Sequence, residues 1–390
     1  MCERTNAVRC GALRLSAAVG AAAVTMLSGS AFGQTLAIFT FDDGTAKDLS
    51  GNGETTSLFG SPGPTFSVAG SEGFGIATIG NNGVRVNLNI NPSAVPRLTM
   101  GAWVKPSVVT TNRHLLSHDN GGYDRDLDID SRGGGAGWSA FKGNGVLGYV
   151  PAIANQWQFV AVVYDDIADT VTLYVDGVVK NGAGSPGTGN MYMYIGASTC
   201  CDTGINGVID GVFVLGEALS TARLDEIRNG GIRKAPTCPI FFEQPEDFVA
   251  CNRDAAEFHV IAAGAGNLTV QWQFKTDLGT WVDVGDGEFP GVGDLIGTDT
   301  PDLSVINLQP GAKVRFRAMA TNACAPIPSR EALLTVCSSD TNCDGFVNGD
   351  DYDSFASAFE TADPAADLNK DGFVNGDDYD FFASAFEAGC

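Results

Sequence analysis

Carboxylates and amides recur in a fixed order near the end of this 390-residue chain. Asp340, Asn342, Asp344, Asn348 and Asp351 fall at positions one, three, five, nine and twelve of a loop with Gly345 at position six. Asp367, Asn369, Asp371, Asn375 and Asp378 repeat that order around Gly372. Hard oxygen donors at this spacing wrap a hard cation, calcium; the backbone carbonyls of Phe346 and Phe373 serve at position seven, and the glycine takes the sharp turn. The copies begin 27 residues apart (367 − 340) and agree at 18 of the 21 positions from Asp340 and Asp367 onward, so chance is a poor account of them.

Each loop runs into a segment that is apolar at i, i+3 and i+7, Tyr352/Phe355/Phe359 and Tyr379/Phe382/Phe386, as one face of a helix requires. No helix is written ahead of either loop. Loop then exiting helix, twice over, resembles a dockerin, the calcium-dependent plug by which secreted proteins dock onto a cohesin receptor. The resemblance implies two EF-hand-type calcium sites and a docking face on Tyr352, Phe355, Tyr379 and Phe382. The hydroxyl pair that often follows position nine is replaced by Gly349-Asp350 and Gly376-Asp377, so these positions depart from the usual recognition code. A dockerin-like tail ending in Gly389-Cys390 is similar to the anchoring domains of many secreted planctomycete-type bacterial proteins.

The charge balance agrees with a cation-binding tail. Lys+Arg 23 against Asp+Glu 46 gives −23, which argues against nucleic-acid binding. Residues 340–390 hold thirteen acids and one base, a net −12. At the other end, Arg4, Arg9 and Arg14 flank an apolar run from Leu15 to Leu27, and Ser30-Ala31-Phe32-Gly33 precedes Gln34, which predicts an export signal over 1–33. The run is too short to span a membrane, and no membrane span is expected in the mature protein. Removing the signal removes Cys2 and Cys10 and leaves eight cysteines, an even number suited to disulfides in an exported protein.

Between signal and tail, strand-like runs alternate with Gly/Asp/Asn turns. Over 34–231 these include Leu36–Phe41, Leu98–Val104, Trp157–Tyr164 and Thr172–Gly177, with Asp176-Gly177 marking a tight hairpin. Asp48-Leu-Ser50-Gly51-Asn52-Gly53, Thr99-Met-Gly-Ala-Trp103-Val-Lys105-Pro106, Gln156–Asp165 and Gly207-Val-Ile209-Asp210-Gly211 resemble, in this order, the concanavalin A-like lectin/glucanase superfamily in its laminin-G-like form. A jelly-roll sandwich is implied. Lectins, adhesive modules and glycosidases share that fold, so its sites must decide the function.

Three candidate sites follow. Asp126, Asp128 and Asp130 alternate and project from one face of a strand. Some glycosidases of this superfamily carry their catalytic acids so, and a retaining mechanism needs two carboxyl groups roughly 5–5.5 Å apart. The same alternation marks any half-exposed strand, and Arg125 with Ser131-Arg-Gly-Gly-Gly favours a solvated face. His114 and His118 share a face but have no third ligand nearby in sequence, so packed or surface histidines are expected rather than a zinc site. Asp48 and Asp210 stand where related modules hold a rim calcium; turn-forming acids without metal fit equally well.

Residues 232–237 read as a linker, and 238–337 as six or seven short strands that resemble an immunoglobulin-like sandwich, with Trp272 as the core tryptophan. That topology implies disulfides Cys238–Cys324 and Cys251–Cys337. In the dockerin-like region 338–390, Cys343 would pair with Cys390, and Cys200 with Cys201 either bond each other or bond elsewhere. The expected fold is mainly β: a jelly roll, an Ig-like sandwich and a small α dockerin. The expected protein is secreted by a bacterium, holds calcium, docks to a cohesin-like receptor or cell-surface anchor, and binds a glycan or matrix ligand. Tyr123 or Trp138 would stack on sugar rings. The alternative is a glycoside hydrolase acting in polysaccharide degradation through Asp126, Asp128 and Asp130.

Overall fold

The computed structural model describes residues 33–198, 200–251, 255–276 and 278–389. The expected signal, apart from Gly33, and Cys390 therefore lie outside the described residues. The fold is mainly β, with sandwich sheets ahead of a small helical C-terminal region.

Residues 34–216 build a jelly roll of two sheets. In the larger sheet the strands lie in the order Val178–Ala183, Thr170–Val175, Gln158–Asp165, Arg97–Pro106, Gly207–Gly216, Phe74–Thr78 and Thr65–Ala69, and Gln34–Phe39 also pairs with Gly207–Gly216. In the smaller sheet the order is Thr56–Phe59, Gly83–Val86, Met193–Ile195, Arg113–Ser117, Asp126–Asp130 and Gly137–Ala140. Side-chain alternation explains the apolar run Gln158–Asp165. Val160, Val162 and Tyr164 enter the core between the sheets, while Phe159, Ala161 and Val163 pack outward under helix α1 (Thr221–Gly230). The hairpin turn is type I′, with Asp176 at φ 48° and Gly177 at φ 92°.

A second sandwich follows. One sheet orders Phe248–Cys251, Ala332–Cys337, Lys313–Thr321, Thr269–Lys275 and Trp281–Asp283; the other orders Ala256–His259, Asp302–Ile306, Gly293–Ile296 and Gly287–Phe289. Trp272 is buried between them against Phe258, and its Nε1 donates to the Thr300 carbonyl at 2.9 Å. The stretch 232–237 corrects the linker reading. Ile232–Lys234 is a 3-10 turn whose Ile232, with Ala235, is buried against the outer face of the jelly roll. Apolar side chains at these two positions make a packed joint, and Gly264 N–H donates to the Arg233 carbonyl across it at 2.8 Å.

The cysteines bind these parts together. Cys238 joins Cys324, and Cys200 joins Cys201. Two expected pairings are corrected, because Cys251 bonds Cys343 instead of Cys337, and Cys343 is thereby unavailable to Cys390. Phe248–Cys251 lies parallel to Ala332–Cys337 with Cys251 beside Cys337. The chain leaving Cys337 turns back through Ser338, Ser339 and Asp340, all buried, which carries the first acidic loop over the end of the neighbouring strand.

The tail is helix α2 (Gly349–Glu360) and helix α3 (Gly376–Ala388) around a small core of Phe355, Ala366, Leu368 and Phe382. Phe355 and Phe382 stack at 4.3 Å between centroids with rings 7° apart. They are 2% and 1% exposed, which corrects their place in a docking face: the i+3 position of each helix points at its pseudo-symmetric mate. Tyr352 and Tyr379 remain open.

Candidate functional site

The Asp126–Asp130 strand is not a solvated face. Asp126, Asp128 and Asp130 are 0%, 0% and 1% exposed. Leu127 and Ile129 fill the sandwich core on one side, and the three acids on the other are buried as well. Two contacts fix the strand from within. The Tyr164 hydroxyl, arriving from the opposite sheet, donates to the Asp126 carbonyl at 2.8 Å and accepts the Asp126 N–H at 2.9 Å. Arg125, expected in solvent, is buried, donating to the carbonyls of Ile90 and Val95 and pairing with Asp166.

The acids are unequally partnered. Asp130 is held by Arg132, which also reaches Asp202 at 2.8 Å. Asp126 Oδ2 bonds His114 Nδ1, whereas Asp126 Oδ1, His114 Nε2 and both Asp128 oxygens are buried without a hydrogen-bond partner. Burial, reinforced by the charges of Asp126 and Asp130, pushes the Asp128 carboxyl well above the usual carboxylate range. Burial also raises Asp126 against the pull of His114. Burial alone would lower His114, but the Asp126 carboxylate outweighs it and holds the imidazole up. His118 does not join this group: its Nε2 accepts the Arg125 N–H at 3.0 Å and its Nδ1 meets the Asn190 carbonyl at 3.3 Å. Sequence reasoning missed the partners of His114 because they sit across the sheet, where His114 pairs in register with Asp128.

Access decides against catalysis on this strand, since no substrate reaches carboxylates covered to this degree. Trp138 is likewise buried, its Nε1 donating to Gln158 Oε1 at 2.9 Å, so it is corrected from sugar platform to core. Tyr123 is half-buried, edge-on to Phe141.

An open cleft lies on the other sheet. Trp103 and Asp210 are cross-strand partners, and the register slips between Asp210 and Phe213. That bulge re-aims Asp210. Gly211 sits in it at φ 56°, and a Cβ there would stand 2.6 Å from the Trp103 ring, so only glycine lets the indole lie against the backbone. Together with Phe41, Asp42, Lys47 and Phe242 they line a cavity of about 480 Å³. Five acids (Asp42, Asp43, Glu72, Asp210, Glu243) face two bases (Lys47, Arg233) in its walls. Asp210 Oδ2 accepts from Ser71 N and Glu72 N at 2.8 and 3.0 Å, yet burial still pushes its carboxyl up to about 6. Asp48 does not share this site: its oxygens accept from Ile38 N, Ser50 N, Ser50 Oγ and Glu54 N, which commits it to its own turn.

The C-terminal loops are two copies of one hydrogen-bond lattice. Asp340 accepts from Asp344 N and Gly345 N at 3.2 and 3.0 Å, and Asp367 accepts from Asp371 N and Gly372 N at 3.1 and 2.9 Å. Asp351 and Asp378, both fully buried, clamp the start of each loop to its helix through Thr341 N and Leu368 N at 2.9 Å. Asn348 and Asn375 cap α2 and α3 in capping boxes. The side-chain acceptors are all oxygen, a set whose chemistry fits calcium.

Comparison with known proteins bears on the jelly roll. Residues 78–225 match a family model described as the concanavalin A-like lectin/glucanases superfamily, and this region is a concanavalin A-like domain. No curated protein sequence matches the chain. Among solved structures, domain 4 of AbnA, a GH43 extracellular arabinanase from Geobacillus stearothermophilus, in complex with arabinotriose, is similar at 19% identity; 50% of this chain and 99% of that one are covered, with a TM-score of 0.41. The botulinum neurotoxin serotype D binding domain is similar at 12% identity, covering 76% and 74%, with a TM-score of 0.40. A chimeric titin Z1Z2 is similar at 21% identity, covering 26% and 96%, with a TM-score of 0.22.

Proposed function

We propose that this chain is an exported binding protein that takes a neutral carbohydrate at the Trp103 cleft and is tethered through a calcium-loaded C-terminal tail. The observation that carries the reading is the cleft. An indole offers a sugar ring an apolar face, while Asp42, Asp210 and Lys47 supply the few polar groups that orient hydroxyls. The excess of acids in its walls disfavours sialylated or sulfated glycans. The buried Asp126–Asp130 strand supports binding without catalysis. Disulfides support export, and among the described residues no helix is long and apolar enough to cross a membrane. The tail is read as dockerin-like, with the open rings of Tyr352 and Tyr379, 45% and 44% exposed, as its contact with a cohesin-like receptor or cell-surface anchor. The second sandwich is read as an Ig-like spacer.

A glycan array probed with the full chain, followed by titration calorimetry on its best neutral oligosaccharide, tests the binding site. Trp103→Ala should weaken binding at least about 10-fold, the loss of roughly 1.4 kcal/mol of ring stacking. Absence of any neutral glycan among the hits, or full affinity in Trp103→Ala, overturns the reading.

A further inference from the structure

Asp126 and Asp128 pose a charge problem that the cleft and the tail leave untouched. Two carboxylates with no exposure adjoin one another on a strand, and among the described residues the arginines beside them already hold other acids. Arg132 is committed to Asp130 and Asp202, and Arg125 to Asp166. An ionised carboxylate stripped of water and donors is costly by several kcal/mol, and proteins meet that cost by holding it protonated, pairing it or ligating a metal. His114 compensates one oxygen of Asp126 and leaves three carboxylate oxygens and its own Nε2 unsatisfied.

We propose that His114, Asp126 and Asp128 form a buried site for one divalent transition-metal ion, with zinc the best match to an imidazole and two carboxylates. One ligand atom from each residue falls within a group whose members all lie within 4.8 Å of one another, inside the reach of a single ion. The imidazole separates this site from the tail. Calcium takes oxygen, whereas an imidazole beside carboxylates suits zinc and its first-row neighbours. The scaffold is rigid: His114 and Asp128 are register partners on adjacent strands, and Tyr164 pins the Asp126 backbone from the opposite sheet. Asp202, bonded to Arg132 and 3.8 Å from His114 Nε2, stands at the rim outside this group.

The test uses the full chain produced in zinc-supplemented medium and purified in excess calcium, which fills the tail loops. Metal analysis should find one zinc per chain, and X-ray absorption should show an imidazole in its coordination shell. After stripping, calorimetric titration with zinc in the same buffer should recover one site. Asp128→Asn and His114→Gln should each weaken it more than about 100-fold, beyond the 10–100-fold expected for outer-shell changes. Asp344→Asn with Asp371→Asn should leave it unchanged. Zinc content near zero, a coordination shell without imidazole, or uptake that survives both substitutions overturns the proposal. The absorption measurement needs no variant, so a substitution that prevents folding does not remove the test.

Discussion

In the C-terminal loops the aspartates at positions one, five and twelve accept backbone N–H groups from their own loop, whereas Asp128 in the jelly roll meets no donor at all. The loops fold a short segment around its own acids, and the sandwich buries its acids among residues farther off in sequence, such as Tyr164. Each loop can therefore take shape from local bonds, with its carboxylates held apart by N–H groups. The jelly-roll acids alternate along one strand, and burial pushes the Asp128 carboxyl well above the usual carboxylate range. Asp210 stands between the extremes, buried yet accepting two N–H groups.

The contrast is broken most forcefully in the core of the tail. Its buried cluster is four residues, Phe355, Ala366, Leu368 and Phe382, against more than thirty in the jelly roll. Phe355→Ala removes about 3–5 kcal/mol, more than so small a core supplies by itself. Limited proteolysis and hydrogen exchange should show residues 344–389 open while the strands of the jelly roll stay protected. Leu127→Ala, which costs about 2–5 kcal/mol in the larger core, should lower the main melting transition without opening the tail. A tail that resists protease after Phe355→Ala would mean that the Cys251–Cys343 bond and the contact of Lys370 with the Leu308 carbonyl hold it instead.

That difference in range also explains what could be read in the sequence. The loops were legible because ligand spacing, turn glycine, cap and helix face are all written within 21 residues, twice. The sandwich was legible from strand alternation and from the Asp176-Gly177 turn. His114 beside Asp128 was not legible, because the bulge between His114 and Leu116 sets that register and nothing in either strand announces it. Burial of the acids was hidden too: a strand alternating Asp with Leu and Ile reads as half-exposed, and only the folded chain shows otherwise. Cys251 was misassigned for the same reason, since its partner depends on how the chain turns back after Cys337.

Acid sensitivity sharpens the intermediate case. Burial holds the Asp210 carboxyl at about 6 and, with the nearby Arg125 charge, lowers His118 to about 4. Their linkages run in opposite directions. Asp210 has a raised folded-state value, so it costs stability above about pH 6, and the cost fades as pH falls toward its unfolded value near 4. His118 has a depressed value, so the stability from its neutral form is present above its unfolded value near 6.5 and is lost as pH falls through about 4. Asp210→Asn keeps an oxygen for Ser71 N and Glu72 N and removes the charge. It should be more stable than the unmodified protein by roughly 2–3 kcal/mol at pH 7, with the advantage shrinking toward zero at pH 4. Chemical denaturation at both pH values measures it. An advantage that does not change with pH would assign the gain to packing.

The smallest effect discriminates best between a loop that folds itself and one that needs its ion. Asn348 and Asn375 each accept the N–H two residues on, from Asp350 and Asp377, both at 2.8 Å. Their backbones are nearly superimposable, with φ −152° for both and ψ −166° and −168°. Asn348→Ala and Asn375→Ala should therefore cost about 1 kcal/mol each in chelator, the value of a lost helix cap, read as lost hydrogen-exchange protection in the first turns of α2 and α3. In calcium the same substitutions also remove the proposed position-nine ligand, so the cost should rise in both loops by a similar amount. Equal costs with and without calcium would show that position nine only caps the helix. A rise in the second loop alone would show that the Cys251–Cys343 bond holds the first loop in shape whether or not an ion is bound.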